Sequence, residues 1–335
     1  MDRAGTAAEP ACMKKIIAAT TAAFLFVAIA PQQAASAHGG LPATYIVSQE
    51  PGVKPEGIAI TRTGTMYVTS YGTGAVYRGT TDRRTLKPFL PAGSDGRTRA
   101  TGIHPDNRGR LFIAGFDTRA LFVYRTDGSL VAKRFASDPG ALLNDLVITD
   151  DAVYVTDSGT GILWRAPLAG DHIGELEPWL TPTDFPIRPG FLNGIVATPD
   201  GRTALVSDNG TGSGEPGDEH VFRVNLRDRT STEVTVSNGQ LGSSDGLLLE
   251  GNRLYGVIDL PADETGKPPT AVNLAILSSD LTTAHVVRQS ESVPREQTPT
   301  TIARDPAGRL LWVNSQIGNP TPTAPFTVTV VPGLR

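Results

Sequence analysis

The sequence predicts an all-β protein: a six-bladed β-propeller with four antiparallel strands per blade and a ring closed by an N-terminal strand. Three observations carry this. The 335 residues include 36 glycines and 26 prolines, which works against long helices. One anchor pattern recurs six times, at spacings of 43 to 55 residues. After each anchor come a turn and further short runs rich in β-branched and aromatic residues, the signature of a propeller blade.

In chain order, the first feature is an export signal. Met13-Lys14-Lys15 supplies the positive start, Ile16 to Ala30 is uncharged and mainly apolar, and Ala35-Ser36-Ala37 is a small-x-small cleavage site. Residues 1–37 are therefore expected to be upstream residues and signal peptide (signal 13–37), and residues 38–335 a single propeller domain. Cleavage after Ala37 implies a secreted protein with no membrane attachment. It also removes Cys12, the single cysteine, which excludes thiol catalysis, disulfides and cysteine-based zinc sites. The net charge of −4, with no long basic block, argues against a nucleic-acid partner.

Thr44 to Val47 precedes the first anchor and is expected to supply the outer strand that the last unit lacks, because an unclosed ring would expose sheet edges. The six anchors follow. They are Pro55-Glu56-Gly57, Ala100-Thr101-Gly102, Leu143-Asn144-Asp145, Leu192-Asn193-Gly194, Ser244-Asp245-Gly246 and Pro299-Thr300-Thr301. Turns such as Arg62-Thr63-Gly64 and Pro199-Asp200-Gly201 separate each anchor strand from a second strand, for example Leu111-Phe112-Ile113-Ala114. Third strands such as Ile162-Leu163-Trp164-Arg165 and weaker fourth ones complete the units.

The innermost strand of each blade lines the central channel. Pseudo-rotation then brings Glu56, Thr101, Asn144, Asn193, Asp245 and Thr300 to equivalent places at its mouth. All six carry side-chain oxygen. Two carboxylates and two amides converging on one axis suit a hard divalent cation such as Ca²⁺, Mg²⁺ or Mn²⁺. Without a cation, the two carboxylates would repel and one would keep its proton.

In order and spacing, the Glu56, Asn144, Asn193 and Asp245 anchors, together with Pro199-Asp200-Gly201, resemble the SMP-30/gluconolactonase/LRE-like family over roughly residues 45–330. The resemblance implies one divalent metal, calcium first with zinc, manganese or magnesium as substitutes, held by Glu56, Asn193 and Asp245. It further implies that Asn144 holds the substrate, that Asp245 serves as general base, and that the reaction opens a lactone or related ester. Thr101 and Thr300 complete the expected substrate-facing set. One departure is Leu142, where gluconolactonase-type members often carry Arg two residues before the substrate Asn.

Other chemistry-bearing residues receive structural readings. Asp157, Asp208 and Asp259 end second strands and are expected to cap loops, with Asp208 the candidate to support Asn193. His104, two residues beyond an anchor's glycine, could approach the channel, and is assigned to packing or a local hydrogen bond. The Gly-rich stretch 209–217 and the insertion 261–270 are expected to form a rim over the site. The partner is expected to be a small-molecule substrate acting on a monomer. The competing readings are a non-catalytic ligand- or protein-binding propeller and a streptogramin-type lyase, which wants a channel histidine that the anchors do not supply.

Overall fold

The computed structural model describes residues 40–211, 218–260 and 269–334. The expected signal peptide lies outside these residues, as does most of each expected rim insertion. Six antiparallel sheets follow one another along the chain, one per anchor. Blade 1 consists of strands Pro55–Ile60, Thr65–Ser70, Val76–Thr80 and Lys87–Leu90, from the innermost outward. Blades 2, 3 and 4 repeat this order from Ile103–Pro105, Leu143–Ile148 and Leu192–Ala197. Among the described residues no helix is long and apolar enough to cross a membrane.

Blade 6 confirms the predicted closure. Its sheet runs Pro299–Arg304, Leu310–Asn314, Phe326–Val330, and then Thr44–Ser48 from the other end of the chain. That N-terminal strand pairs antiparallel with Phe326–Val330. Tyr45, fully buried, donates its hydroxyl hydrogen to the Thr81 carbonyl at 2.7 Å and accepts from Arg309 Nη2 at 2.6 Å.

Two blades exceed the four-strand pattern. Blade 3 adds a two-residue strand, His172–Ile173. Blade 5 gains Thr235–Ser237, which pairs parallel with its outermost strand, Thr283–Gln289. This extra strand lies on the connection from blade 4 to blade 5. It covers an edge whose amides and carbonyls would otherwise be open to pairing.

The core is divided among the blade interfaces. Leu111 and Ile113 face blade 1, whereas Phe112 and Ala114, on the alternate face of the same strand, pack with blade 3 against Trp164. All four are 0 % exposed, so a strand with period-two geometry still reads as a continuous apolar run. Four further clusters fill the remaining gaps the same way. One of them sets Phe185 of blade 3 against Phe222 of blade 4 at 5.0 Å between ring centroids.

Candidate functional site

The anchors owe their geometry to a local irregularity. In blades 1, 3, 4 and 6 the register between the inner and second strands shifts at the anchor, between Pro55 and Ile58, Leu143 and Leu146, Leu192 and Ile195, and Pro299 and Ile302. Such bulges re-aim side chains.

A circuit of hydrogen bonds then fixes each anchor's backbone to its neighbour. Thr69 donates its hydroxyl to the Thr101 carbonyl, Thr101 to Asn144, Thr156 to Asn193 and Ser207 to Ser244, each at 2.6 Å. Gly246 N–H donates to the Thr300 carbonyl at 2.9 Å, and Thr300 closes the circuit onto the Glu56 carbonyl at 2.7 Å. In blades 1, 3 and 4 the hydroxyl comes from the second strand. Blades 2 and 6 have Ala114 and Val313 at that place, and there the anchor is itself threonine. Thr101 and Thr300, expected to face a substrate, are each 1 % exposed and commit their hydroxyls to this circuit. The structure gives them a ring-stitching role.

Glycine after the anchor permits this closeness. A Cβ on Gly57 would meet the Thr101 carbonyl oxygen at 2.4 Å, and one on Gly102 would meet Asp145 Oδ1 at 2.4 Å. Blade 3 breaks the rule by carrying Asp145 where blades 1, 2, 4 and 5 carry glycine. The Asp145 carboxylate occupies the space that Gly102 leaves open. It accepts from Leu146 N–H at 2.8 Å and from Ile195 N–H of blade 4 at 3.2 Å.

Glu56, Asn193 and Asp245 come together. Asn193 hydrogen-bonds the Asp245 side chain, and the charges of Asp245 and Asp145 both reach Glu56. Burial, followed by those two charges, holds the Glu56 carboxyl well above the usual range. Burial, then the charges of Asp259 and Asp145, pushes Asp245 up to about 7, with the Asn193 hydrogen bond opposing. Two buried oxygens of the set, Glu56 Oε2 and Asn193 Oδ1, have no hydrogen-bond partner among the described residues. Buried polar atoms ordinarily find one. Asn144, 5 % exposed, donates to Ser158 Oγ at 2.9 Å.

These residues fit a hard cation: two carboxylates and an amide oxygen, two of the oxygens without a protein partner. The fit depends on the amide, since among the described residues no three of His, Cys, Asp and Glu form a metal-ligand group.

Asp245 binds its proton more tightly in the folded chain than in the unfolded one. Without metal, the stability it contributes is full below pH 4 and is lost as pH rises from about 4 to about 7. Urea unfolding in EDTA should therefore show a lower midpoint at pH 8 than at pH 5. A flat or rising profile would contradict the clustering of Asp245 with Asp145, Asp259 and Glu56.

Two residues of the channel were given no site role by the sequence. Asp145 is one, and its signal was the missing glycine. His104 is the other. Its side chain is 41 % accessible, with Nε2 3.9 Å from Asp145 Oδ1, so of the roles expected it takes the approach to the channel rather than packing. The loop-capping expectation holds for Asp157 and Asp208. Asp208, 1 % exposed, accepts from Gly190, Phe191 and Gly210 N–H at 2.8 to 3.3 Å, which makes it a cap. A concavity of about 540 Å³ opens at the far ends of the inner strands of blades 2 to 4, lined by Asp106, Arg108, Asp150 and Thr198 among others, away from the carboxylates.

No family model matches the chain, and no curated protein matches it in sequence. Solved structures do match in fold. Regucalcin from Agrobacterium tumefaciens, described as a calcium-binding protein, superposes with a TM-score of 0.57 at 17% identity, over 88% of this chain and 96% of that one. A putative gluconolactonase gives 0.50 at 19% identity, over 88% and 96%. Virginiamycin B lyase from Staphylococcus aureus gives 0.56 at 10% identity, over 87% and 98%. Regucalcin-like and gluconolactonase-like proteins are thus among the structural neighbours, and at these identities the likeness establishes the propeller fold.

Proposed function

We propose that the chain is a secreted, metal-dependent hydrolase of a lactone or related ester, acting as a monomer on a small molecule. The observation that carries this reading is the pair of unpartnered buried oxygens, Glu56 Oε2 and Asn193 Oδ1, gathered with Asp245. The calcium-binding description of the regucalcin neighbour supports calcium as the first metal to test.

A divalent cation held by Glu56, Asn193 and Asp245 supplies Lewis acidity toward a carbonyl oxygen. Glu56 contributes negative charge from a site with little water. Asn193 contributes a neutral oxygen, which leaves the cation's charge less compensated. Asn144, fixed by Ser158, orients the substrate beside the set. A proton must leave the attacking water and reach the departing alkoxide. Asp245, on the same channel, is the acceptor assigned from the sequence.

Metal analysis combined with hydrolysis assays on δ-valerolactone and phenyl acetate tests the reading. The expected result is EDTA-sensitive turnover restored by Ca²⁺ or Mn²⁺. Asp245→Asn should lower it by about 100-fold or more, the usual scale for a lost acid–base group. A stably folded, metal-free chain inert on both substrates would instead support the binding-propeller reading.

The lyase reading gains one observation, since His104 places an imidazole in the channel after all. Cleavage of a substrate without uptake of ¹⁸O from labelled water would favour it over hydrolysis.

A further inference from the structure

Beside the oxygen set stands a pair that the proposed ligands do not use. His104 lies on the inner strand of blade 2 (Ile103–Pro105) and Asp145 on that of blade 3 (Leu143–Ile148). Its neighbour on the strand, Ile103, is 1 % exposed in the interface between blades 1 and 2, so alternation turns His104 to the other face, toward blade 3. There His104 Nε2 faces Asp145 Oδ1 at 3.9 Å, and the side chain remains 41 % accessible deep within the ring. Asp145 is 11 % accessible and held from two blades by the Leu146 and Ile195 amides. The Gly102 backbone leaves the space its carboxylate fills. A carboxylate fixed by two amides orients a histidine for proton transfer once the ring closes to hydrogen-bond distance, and at 3.9 Å the imidazole is one small rotation from it.

We propose that His104 is a catalytic residue of this channel, a proton acceptor held in place by Asp145 as its positioning partner. The proposal rests on the hydrolase reading and revises it at one point, the proton path: His104 replaces Asp245 as the acceptor, and Asp245 is left as a cation ligand whose loss lowers turnover through the metal. A carboxylate that also coordinates a cation is a weak base, because the positive charge favours its ionised form. His104 lies outside the coordinating set and keeps the basicity of an imidazole. As the water oxygen bonds to the lactone carbonyl carbon, its proton passes to the imidazole. As the ring C–O bond of the tetrahedral adduct breaks, that proton passes to the departing alkoxide oxygen. The product is the hydroxy acid, and His104 returns neutral.

Although part of its surface is open, the ring of strands around His104 strips water from it and lowers its proton affinity, and the Asp145 charge opposes this. Among the described residues Asp145 is the charged group whose field reaches the ring, and Asp145 in turn faces Glu56 and Asp245.

The test compares the full chain with His104→Gln, His104→Asn and Asp145→Asn. Calcium affinity and thermal midpoint are measured for each, with δ-valerolactone as substrate. The expected result for both His104 variants is a kcat about 100-fold lower, with KM and calcium affinity within about threefold, on the scale of a lost general base. The acidic limb of the wild-type pH profile, with a midpoint below the ordinary histidine value, should disappear. In the metal-free protein the His104 ring resonances should titrate, and Asp145→Asn should move that midpoint lower.

Folded His104 variants with wild-type kcat and pH profile would overturn the proposal and leave the hydrolase reading standing. A ring titration unmoved by Asp145→Asn would overturn the pairing. Wild-type protein inert on lactones would overturn the hydrolase reading and the proton path together. The ring titration would still show whether the pair exists.

Discussion

A chain that begins at Glu50 should fail to fold cooperatively, whereas one that begins at His38 folds. The truncation removes the strand Thr44–Ser48 and with it Tyr45 and Val47, which are 0 % and 2 % exposed. Burying each such side chain is worth about 1.5–3 kcal/mol. The backbone ladder to Phe326–Val330 is lost as well, and so are the Tyr45 hydrogen bonds to Thr81 and Arg309. Together these approach the total stability of an ordinary domain, about 5–15 kcal/mol. Moreover, Phe326–Val330 would become an open apolar edge, a template for pairing with other chains. Thermal denaturation should show no sharp transition, and light scattering should show aggregates. A synthetic peptide of residues 40–50 should restore solubility by occupying the vacant edge. A truncated chain with the melting point of its parent would show that the ring does not depend on this strand.

Asp157→Ala should be the most damaging single substitution outside the channel. The Asp157 carboxylate, 0 % exposed, gathers five donors. Oδ1 accepts from the Leu142, Gly159 and Thr160 amides at 2.8 to 3.1 Å, and Oδ2 from the Thr160 hydroxyl at 2.5 Å and the Trp164 indole at 2.9 Å. Trp164 is itself wholly enclosed between blades 2 and 3. Truncation leaves its N–H without a partner in apolar surroundings and releases the turn that carries Ser158, the partner of Asn144. The expected cost is about 3–5 kcal/mol. That corresponds to a drop of about 10 °C in the melting temperature for a domain of this size. Asp157→Asn preserves an oxygen for the three amides and should cost about half as much. If alanine and asparagine proved equally mild, the side chain's role as the joint of this loop would be refuted.

Most of the architecture was readable because a repeated anchor-turn-strand unit has few ways to bury two apolar faces. The closing strand could be inferred for the same reason, from what the last unit lacked. The site was readable in part. Asn193 bonds Asp245 and the Asp245 charge reaches Glu56, as the repeat implied, while Asn144 is bonded to Ser158. Thr101 and Thr300 were misread because a position shared by six blades need not do one job in all six. Comparing Thr69, Thr156 and Ser207 with Ala114 and Val313 would have shown which blades must take their stitching hydroxyl from the anchor. Asp145 was hidden by attention to the residue before it. The orientation of His104 depends on which face of its strand Ile103 claims, and side-chain alternation settles that only once the blade's neighbours are known. The parallel strand Thr235–Ser237 has no local signal at all, since its pairing arises from where the crossover happens to run.

The circuit of backbone contacts through the six anchors has an evolutionary consequence. It grips main-chain carbonyls, so the groups it displays are largely irrelevant to whether the wheel holds. Positions such as Glu56, Asn193 and Asp245 can be exchanged like tools in a turret, provided the blade before or behind supplies a hydroxyl or an amide. A lineage built on this chassis can thus acquire or abandon an ion, an acid or a base by one or two codon changes, without having to reinvent the frame that presents them.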